Sequence, residues 1–556
     1  MTPRAPAPPD SPRPASRRDF LRQAALGALA TVGTGALARC AATGDATCSV
    51  DAVADAGDDV RDSSGPAAPW WDREADVVVI GGGSGLVGAL AAQLAGAQVL
   101  LLEKSDAVGG STRISGGVAW IPNNDVQKAA GLEDSREDAL TYVRAVARGQ
   151  ASDEIVQAFV DRGPEMVAFV GQNTSLVWSV SQILGDYHTE WPGARFRGRS
   201  VQPKGGSGLI LGPMMIDPIA EAFAAAGGEV LLSTPARRLL TRTLPDGSRE
   251  VIGVQAVSGD EMLTIRARRG VVLTAGGFDW DDELKVHFLR GPSTYTLGHV
   301  GNTGDGLRLA LSVGADVRNL NEAFGALCFK EESAALKAEG KSTNLNAMVQ
   351  RRMPGCITVN RHGQRFFNEA ASYDASWRAV FAWENFGELR DRNVPAFHVS
   401  DKKVKPTAAV GVQQADTLAD LAALLGIDPA GLEATVAEYN ANVLQGSDPL
   451  FHRGESHYDT QYGPTLAPID KPPFYGVEVA PADLGTCGGA RVNGNAQVLD
   501  PFGQVIGRFY AAGNSSGVGG PGAGYGGGGG TIGPAMTFAY IAGTHVAALA
   551  PQDPPA

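Results

Sequence analysis

Two long stretches of the chain are apolar and carry no charged side chain, residues 77–102 and residues 509–544. Glycine clusters interrupt both, at 81–85 in the first stretch and at 526–530 in the second. A bilayer span needs an unbroken helix, whereas short apolar runs separated by glycine are typical of buried strand–turn–helix units. The pattern therefore predicts buried units of this kind and no transmembrane segment in the mature protein.

The first of these stretches has the order strand, glycine loop, helix, strand. Residues 76–80 and 98–102 have the continuous apolar character of buried parallel strands, and 86–95 has helical character. The loop 81–85 precedes the helix, and Glu103 ends the second strand, 22 residues after the first glycine of the loop. Glycine lets the backbone approach a pyrophosphate at a helix N-terminus, and an acidic residue at about this spacing binds a ribose hydroxyl. We predict a dinucleotide-binding βαβ unit in an α/β, doubly wound, Rossmann-like domain.

The spacing of the glycines leaves two interpretations open. Counted from Gly81, the third glycine of a G-x-G-x-x-G motif would fall on Leu86. The loop is either one residue short, with Gly85 as its third glycine, or the motif starts at Gly83 and ends at Gly88. We favour the short loop because it leaves Gly81 at the end of the strand.

Small residues recur in separate segments farther along the chain, where the backbone can approach the same ligand. They follow the second strand, the apolar run 271–273 and the apolar run 509–512, and they include a predicted helix start at 531–535. Separated segments in this order predict FAD rather than a simple turn, and a single dinucleotide unit gives no support for NAD(P)H as a second nucleotide. The candidate cofactor-binding residues are Gly81, Gly83, Ser84, Gly85, Glu103, Lys104, Gly110, Ser111, Thr112, Ser115, Gly116, Gly117, Ala236, Ala275, Gly276, Gly513, Asn514 and Ile532.

Composition narrows the class of protein further. The chain has 556 residues, 44% apolar and 19% charged, which is enough for two domains with their own cores. The formal net charge is −13 and there is no long basic run, so we do not expect nucleic acid as a partner. None of the five cysteines forms a CxxC pair, so we expect neither a metal site with that spacing nor a disulfide framework.

The N-terminal residues have the pattern of an export signal. Ser16-Arg17-Arg18-Asp19-Phe20-Leu21 matches the twin-arginine pattern, and the weakly apolar stretch 24–38 that follows ends in an Ala-Leu-Ala cleavage site. We therefore predict a signal peptide at 1–38, a disordered linker at 39–70 and a periplasmic or otherwise extracytoplasmic protein. Export also suggests an electron acceptor at the membrane, such as a quinone.

Further motifs are similar to those of one flavoprotein superfamily. They are Gly109-Gly110-Ser111-Thr112, Trp120-Ile121-Pro122, Asp186-Tyr187, Gly198-Arg199-Ser200, Asn302-Thr303-Gly304-Asp305-Gly306, Arg365-Phe366-Phe367-Asn368-Glu369 and Leu484-Gly485-Thr486. From about residue 76 to 548 the chain resembles the fumarate reductase/succinate dehydrogenase flavoproteins, and among them most of all the 3-ketosteroid delta-1-dehydrogenases. The resemblance implies FAD-dependent dehydrogenation of a 3-oxo steroid-like ketone beside its carbonyl group. The FAD is expected to be non-covalent, because the segment 109–112 lacks the histidine that holds flavin in succinate dehydrogenases.

The resemblance also implies four catalytic residues. The residues at the matching motif positions are Tyr187, Tyr373, Tyr525 and Gly529. In the family the third tyrosine and the glycine N–H hold the carbonyl oxygen, and the second tyrosine removes the proton. A proline usually follows the third tyrosine, whereas glycines 526–530 follow it here, so we expect a more flexible loop; Pro521 offers a competing alignment.

A tyrosine base needs help from its surroundings. The free pKa of a phenol is near 10, so forming the phenolate at pH 7 costs about 4 kcal/mol. A hydrogen bond from Tyr187 or a nearby positive group would stabilise the phenolate of Tyr373. The chemistry therefore predicts a pair of tyrosines rather than one.

Two other functions remain open at this stage. An exported fumarate-reductase-like enoate reductase would need arginines and histidines for carboxylates. Arg352 and Arg361 are available, but the His-Pro-Thr segment of those reductases is missing where His299 stands. A flavin-bearing electron-transfer or binding protein is the second alternative, although such a protein needs no enclosed pocket.

The predicted domains follow from this pattern. We expect a FAD-binding domain in two parts, 71–330 and 483–550, interrupted by an α+β catalytic cap at 331–482. Within the cap, residues 428–443 have a helical pattern with Asp428 as N-cap and Pro429 at the first helical position.

Overall fold

The computed structural model describes residues 71–206, 210–385, 387, 390–522 and 524–552, all within one unit, Ala68–Ala556. The predicted signal peptide (1–38) and linker (39–70) lie outside the described residues.

The described part of the chain contains nineteen strands and fifteen α-helices. The strands are β1 Arg73–Ile80, β2 Val99–Leu102, β3 Ala119–Trp120, β4 Trp178–Val180, β5 Ser200–Pro203, β6 Glu229–Leu231, β7 Ala236–Thr243, β8 Arg249–Ser258, β9 Glu261–Leu273, β10 Tyr295–Thr296, β11 Val317–Arg318, β12 Ala323–Phe329, β13 Cys356–Asn360, β14 Ala396–Ser400, β15 Gln413–Ala415, β16 Phe474–Thr486, β17 Gly489–Ala490, β18 Gln497–Leu499 and β19 Val505–Ala511. The α-helices are α1 Gly85–Leu94, α2 Gly110–Arg113, α3 Asp125–Ala129, α4 Arg136–Ala147, α5 Asp153–Asn173, α6 Gly212–Ala225, α7 Asp282–Phe288, α8 Asp305–Ser312, α9 Lys330–Ala338, α10 Asn346–Gln350, α11 Tyr373–Val380, α12 Leu418–Leu425, α13 Pro429–Val443, α14 His457–Thr460 and α15 Ile532–Ala547. A 3₁₀ turn covers Gly513–Ser515.

The first sheet contains the predicted βαβ unit. Its strands lie in the order β18-β19-β8-β9-β1-β2-β6, with β7 paired to β8. β1 is parallel to both β2 and β9, and Val78 lies opposite Leu100 on one side and Val271 on the other. These three side chains are buried because elements cover both faces of the sheet, which explains why the strand is continuously apolar rather than alternating.

Helices α1 and α15 pack closely through glycine. A Cβ on Gly88 would overlap the Ala539 carbonyl, and a Cβ on Gly543 would overlap the backbone of Gly88. Two small residues at the crossing therefore let the helix backbones touch. Within the apolar stretch 509–544, residues 509–511 end β19, Gly513–Ser515 form the 3₁₀ turn and residues 532–544 lie in α15. No helix in the described segments is both long and apolar enough to span a bilayer.

A second sheet carries the remaining long strands. Its order is β10-β16-β14-β13, with β12 and β15 also paired to β16. Ile357 and Val399 from this sheet pack against Leu421 of α12 and Val436 of α13. The side chain of Asp428 caps α13 by accepting the Ala430 N–H at 3.2 Å, as its sequence pattern predicted.

The structure confirms the predicted fold class, and the ends of elements differ by a few residues. The strand predicted at 76–80 starts at Arg73, because the three preceding residues continue the ladder with β9. The second sheet draws strands from Tyr295 to Thr486, which is wider than the predicted cap of 331–482. The division into two domains stays a prediction.

Candidate active site

The glycine loop after β1 is shaped by contact with the end of β9. Gly81 has a φ of 101°, which favours glycine, and a Cβ there would overlap the Thr274 carbonyl. A Cβ on Gly85 would overlap the Thr274 hydroxyl, so α1 starts directly against the strands. Gly81 thus makes the tight turn and Gly85 the close helix–strand contact, which fits the short-loop interpretation. Gly88 instead belongs to the contact with α15.

Glu103 lies beside this loop at the end of β2. Its buried carboxylate accepts the Gly82 N–H through Oε2 and the Ser105 N–H through Oε1, both at 2.8 Å. Its carbonyl accepts the Thr234 N–H at 2.8 Å, which brings Ala236 and the start of β7 to the same edge of the sheet. The acidic group is therefore held next to the glycine loop.

The other predicted cofactor segments reach the same edge. A Cβ on Gly83 would lie 3.3 Å from the Gly109 carbonyl, and a Cβ on Gly513 would lie 3.2 Å from the Ser84 hydroxyl and 3.6 Å from Ala535. The remaining predicted residues stand in these segments: Thr112 in α2, Ser115, Gly116 and Gly117 in the turn after it, Ala275 after β9, Asn514 in the 3₁₀ turn and Ile532 at the start of α15. The fold thus brings together backbone from widely separated parts of the chain.

Asn302 joins two of these segments and was not among the predicted cofactor residues. Its Nδ2 donates to the Ser111 hydroxyl at 2.9 Å and to an Asp279 carboxylate oxygen at 3.1 Å. Gly276 has a φ of 81°, and a Cβ there would overlap the Asn302 amide. The Asn-Thr-Gly sequence at 302–304 belongs to one of the motifs noted in the sequence. The role of the Asn302 side chain in linking two loops can be recognised only when those loops are known to be adjacent.

The open face of this edge fits FAD. A Cβ built on Gly110 meets no protein atom within 4 Å, so the backbone beside it is uncovered. The Lys104 ammonium lies at the rim, bonded to the Thr303 hydroxyl at 2.7 Å and to Asp305 at 2.6 Å. Uncovered glycine backbone near a buried carboxylate suits a dinucleotide, whose phosphates need close backbone and whose ribose needs an acceptor.

The three tyrosines singled out in the sequence meet in one buried cluster. The Tyr187 and Tyr373 hydroxyls are hydrogen-bonded at 2.9 Å. The Tyr525 ring stacks on the Tyr187 ring at 5.5 Å between centroids and meets the Tyr373 ring edge-on at 5.1 Å. Tyr458, which no sequence motif indicated, adds a fourth ring 4.8 Å from Tyr187. We refer to Tyr187, Tyr373, Tyr458 and Tyr525 as the tyrosine cluster.

The all-glycine loop after Tyr525 is held by close contacts. A Cβ on Gly526 or Gly527 would come within 2.6 Å of the Trp120 indole, and a Cβ on Gly528 within 2.7 Å of Leu184. The glycines are therefore required by packing, and their contacts replace the restriction that a proline would give. The sequence predicted a flexible loop because the residues that contact it are distant along the chain.

Hydrogen bonds tie this loop to the segment around Tyr187. The Gly526 carbonyl accepts the Tyr187 N–H at 2.9 Å and the Tyr142 hydroxyl at 2.6 Å. The Tyr142 oxygen in turn accepts the His188 N–H at 3.1 Å. One buried phenol thus joins the residue after Tyr187 to the residue after Tyr525, and so fixes two members of the cluster relative to each other.

Gly529 lies at the end of the loop with a φ of 91°. In the described segments the N–H groups of Gly528 and Gly530 donate to the carbonyls of Gly185 and Gly527, whereas the N–H of Gly529 meets no backbone acceptor. A donor of this kind close to Tyr525 has the character of half an oxyanion hole.

A buried ion network supports the same region from behind. The Asp186 carboxylate accepts Trp120 Nε1, the Arg195 N–H and Arg199 Nη1, each at 2.8 Å. Arg199 also pairs with Asp134 at 2.7 Å, and all three charged side chains are fully buried. Burial raises the pKa of Asp186 to about 6, although the charge of Arg199 opposes the shift. The network anchors the backbone on either side of Tyr187.

The cluster favours neutral phenols. Burial raises the pKa values of Tyr187 and Tyr373 well above 10, and the neighbouring phenols add to the shift. Burial likewise raises the pKa of Tyr525 to about 12. Tyr525 is thus a hydroxyl that stays protonated and can donate, while Tyr373 needs stabilisation before it can act as a base.

Two adjacent arginines border the cluster. Arg351 is buried and donates to the carbonyls of Glu369 and Ala371, which lie just before Tyr373. Burial lowers the pKa of Arg351 to about 10. Arg352 lies over the Tyr458 ring, with its guanidinium carbon 5.2 Å from the ring centre. In the described residues neither guanidinium is hydrogen-bonded to the Tyr187 or Tyr373 hydroxyl, so the contact that the structure shows for the Tyr373 hydroxyl is the hydrogen bond with Tyr187.

The other residues considered for carboxylate binding are engaged elsewhere. Arg361 pairs with Glu384 at 2.6 Å. The His299 N–H donates to the Ser111 hydroxyl at 3.0 Å, and burial lowers the pKa of the His299 imidazole. Of the groups considered for fumarate, only Arg352 borders the tyrosine cluster.

The chain is similar to known FAD-dependent enzymes over most of its length. Residues 76–531 match the FAD binding domain family. The 3-oxosteroid 1-dehydrogenase of Mycobacterium tuberculosis H37Rv is 33% identical over 85% of this chain and 98% of that protein. The 4-oxocyclohexanecarboxylate 2-dehydrogenase of Sinomonas cyclohexanicum is also 33% identical, over 85% of this chain and 93% of that protein. The crystal structure of a 3-ketosteroid delta1-dehydrogenase from Sterolibacterium denitrificans with 1,4-androstadiene-3,17-dione superposes with a TM-score of 0.77 at 30% identity, covering 86% of this chain and all of that one.

The fold and the site define a flavoprotein oxidoreductase that uses FAD and acts on CH–CH groups. The chain belongs to the FAD binding domain family. Fumarate reductases are more distant relatives. The assignment of individual cofactor and catalytic residues stays a prediction, supported by the convergence described above.

Proposed function

We propose that this chain desaturates a six-membered ring ketone beside its carbonyl group, as a 3-oxosteroid 1-dehydrogenase does. The observation that carries the proposal is the buried contact among three tyrosines. The Tyr187 and Tyr373 hydroxyls are hydrogen-bonded at 2.9 Å, and the Tyr525 ring packs against both of their rings. Relatives at 33% identity are named for a 3-oxosteroid and for a 4-oxocyclohexanecarboxylate, and both substrates contain a ring ketone of this kind.

The proposed roles of the residues are those that the resemblance to the 3-ketosteroid delta-1-dehydrogenases implies. The Tyr525 hydroxyl, with a pKa of about 12, donates to the carbonyl oxygen together with the Gly529 N–H. This holds the negative charge that develops as the neighbouring carbon loses a proton, and so lowers the barrier. The Tyr373 oxygen takes that proton, and the Tyr187 hydroxyl donates to Tyr373 while it is a phenolate. Bound FAD supplies the hydride acceptor for the second carbon.

The first test follows the colour of the flavin. Anaerobic mixing of the FAD-loaded protein with 4-androstene-3,17-dione or with 4-oxocyclohexanecarboxylate is expected to bleach the oxidised flavin band. Fumarate with reduced viologen, the assay for the enoate-reductase alternative, is expected to give no turnover. The proposal would be rejected if the protein reduced fumarate and neither ketone bleached its flavin. An electron-transfer protein would be favoured if none of these substrates changed the flavin absorbance.

We further propose that the enzyme is exported by the twin-arginine pathway to the periplasm and passes its electrons to a quinone. The support is the sequence around Arg17 and Arg18, which lies outside the described residues. Twin-arginine export carries folded proteins, which suits an enzyme that binds FAD before export. Changing both arginines to lysine is expected to retain the protein in the cytoplasm with its FAD bound. Equal periplasmic amounts of the two forms would reject the export route.

A further inference from the structure

The Arg352 side chain lies at one end of the tyrosine cluster. Its guanidinium carbon is 5.2 Å from the centre of the Tyr458 ring and 4.5 Å from the centre of the Tyr462 ring. The Tyr458 ring is itself 4.8 Å from the Tyr187 ring. A single aromatic ring therefore separates this positive charge from the hydroxyl-bearing pair.

The charge of Arg352 has no acidic partner in the part of the chain that the structure describes. Its Nη2 donates to the carbonyls of Tyr458 and Asp459, both at 2.9 Å. The Asp459 carboxylate points elsewhere, to the Asn368 amide at 2.9 Å and the Gly454 N–H at 2.8 Å. Three other arginines, Arg199, Arg365 and Arg453, each meet at least one carboxylate within 3.2 Å. The neighbouring Arg351 resembles Arg352 in donating to carbonyl groups only, but it is fully buried, whereas Arg352 is partly exposed.

The surface around Arg352 is apolar. Met348 packs against the tyrosine cluster from α10. Val349 is 51% exposed and Met353 43% exposed on the same segment, and across from them Tyr462 bonds through its hydroxyl to the Ile183 carbonyl at 3.0 Å. An apolar rim that holds one unneutralised guanidinium suits a ligand with a hydrophobic ring and one carboxylate.

We propose that Arg352 is an anion subsite, so that the preferred substrate is a ring ketone with a carboxylate on the far side of the same ring. This inference rests on the proposed function, because it names the substrate of the same site. Guanidinium is the side chain whose planar donors match a carboxylate, and its Nε and Nη1 are not used by the two carbonyl contacts.

The distance between Arg352 and Tyr525 determines which keto acid can contact both residues, a small one or a steroid acid. The steps from the Arg352 guanidinium carbon to the ring centres of Tyr458, Tyr187 and Tyr525 are 5.2, 4.8 and 5.5 Å. The Tyr525 hydroxyl lies about 3 Å beyond its ring centre, so the span from the guanidinium carbon to this hydroxyl is at most roughly 18 Å. In a 4-oxocyclohexane acid the carbonyl oxygen and the carboxyl carbon are roughly 6 Å apart, and a hydrogen bond of about 3 Å at each end keeps the whole within that limit. A carboxylate on a steroid side chain is roughly 15 Å or more from the ring carbonyl, and with the same contacts it exceeds the limit.

The test compares an acid with its neutral ester. The substrates are 4-oxocyclohexanecarboxylate and its methyl ester, measured by kcat/KM with a dye acceptor at low and high salt. The wild type is expected to prefer the acid by roughly 10- to 100-fold, the range of a charge-assisted hydrogen bond, and to lose that preference in part as salt rises. The preference is expected to appear mainly in KM.

The variants are Arg352→Gln and Arg352→Lys, with Arg136→Gln as a matched control. Arg136 lies on the surface of α4 and pairs with Asp161, so the control removes the same charge away from the cluster. Arg352→Gln is expected to cut kcat/KM for the acid by roughly 10- to 100-fold and to leave the ester within about threefold, with Arg352→Lys in between. The control is expected to change neither.

Each outcome separates this inference from the proposed function. Turnover of the ester or of 4-androstene-3,17-dione without any preference for the acid overturns the anion subsite and leaves ring-ketone desaturation intact. Equal losses for acid and ester in Arg352→Gln also overturn it. If Arg352→Gln fails to retain FAD, the acid-to-ester ratio and its salt dependence in the wild type still decide the question. Failure of every ketone to bleach the flavin rejects the proposed function itself.

Discussion

The hydroxyls of Tyr187 and Tyr373 are hydrogen-bonded at 2.9 Å although the residues are 186 positions apart in the chain. Tyr187 is placed by the segment that Asp186 anchors, and Tyr373 is the first residue of α11, capped by the Ser372 side chain. Either hydroxyl of such a pair can donate, but once Tyr373 has lost its proton only Tyr187 can. The same holds with the two residues exchanged, so the contact can stabilise a phenolate at either position, and the assignment of the base to Tyr373 comes from the resemblance in sequence.

Removing the Tyr373 hydroxyl tests this arrangement directly. Tyr373→Phe keeps the ring contacts with Tyr187 and Tyr525 and removes the base, so we expect kcat to fall by roughly 10²- to 10⁴-fold with FAD still bound. Tyr187→Phe is expected to lose less, because the base remains and only its hydrogen bond is gone. Full turnover by Tyr373→Phe on a ring ketone, with an unchanged flavin spectrum, contradicts the proposed role.

The pH dependence of the reaction follows from the raised pKa of Tyr373. Burial keeps this phenol neutral well above pH 10, so the active phenolate is a minor form at neutral pH and its fraction rises with pH. We expect kcat/KM to increase by about tenfold per pH unit over the range in which the phenolate is scarce. The Tyr525 hydroxyl, with a pKa of about 12, remains protonated through that range.

The same shifts limit the range that can be measured. A phenol whose pKa is raised on folding favours the folded state less as pH climbs past its unfolded value of about 10. The protein is therefore expected to lose stability in strong alkali, and the rate profile is taken at pH values where the circular dichroism spectrum is unchanged. A flat profile from pH 6 to 9 would exclude a phenol as the base.

Tyr142 is expected to position the cluster rather than take part in the chemistry. Its hydroxyl joins the Gly526 carbonyl at 2.6 Å to the His188 N–H at 3.1 Å. Tyr142→Phe removes both bonds, and we expect kcat to fall by roughly 10- to 100-fold through misplacement of Tyr187 and Tyr525. The pH profile is expected to keep its shape, because the base is unchanged.

The matched control for Tyr142 is Tyr439, a buried tyrosine in the core of the second sheet. Tyr439→Phe removes a hydroxyl from an equally buried ring, so stability can change but turnover of the folded enzyme is expected to stay within about twofold. Equal kinetics for the two variants, measured on samples with the same FAD content, would show that Tyr142 only contributes to stability.

The sequence was sufficient where the signal is local. The apolar run of β1, the glycines at 81 and 85 and Glu103 predicted the first βαβ unit, because each of these features depends on neighbours along the chain. The resemblance to known motifs selected the three tyrosines, and the structure brings them into contact. Their catalytic roles stay predictions.

What the sequence missed depends on contacts between distant segments. Tyr142 and the Gly526 carbonyl are hydrogen-bonded although they are 384 positions apart. Trp120 packs against the glycine loop although it lies some 400 residues earlier in the chain. A tyrosine on an apolar helix face is usually a core residue, so no local pattern distinguishes Tyr142 or Tyr458. The loop after Tyr525 looked flexible for the same reason, since its restraints are tertiary.

The second sheet contains a buried ion network that predicts sensitivity to acid. The Glu369 carboxylate binds Arg365 at 2.7 and 2.8 Å, Arg453 at 3.2 Å and the Thr358 N–H at 3.0 Å. Burial alone would raise the pKa of Glu369, but the charge and hydrogen bonds of Arg365, with Arg453, lower it to about 2. Arg365 also pairs with Asp448 at 2.7 Å, so the network joins segments that are 83 residues apart in the chain.

The sign of the effect follows from the lowered pKa. The group is ionised in the unfolded chain only above about 4.5, so its contribution to stability is complete above that pH and is lost as pH falls towards 2. Glu369→Gln leaves two buried guanidinium groups without this carboxylate and is expected to lower the free energy of unfolding by roughly 3–5 kcal/mol at pH 7.

Melting temperatures measured at pH 7, 4.5 and 3 are expected to fall steeply for the wild type and less steeply for Glu369→Gln. Glu165→Gln, which removes an exposed carboxylate on α5, is the control and should keep the wild-type slope. Parallel slopes for the wild type and Glu369→Gln would place the acid sensitivity in other carboxylates.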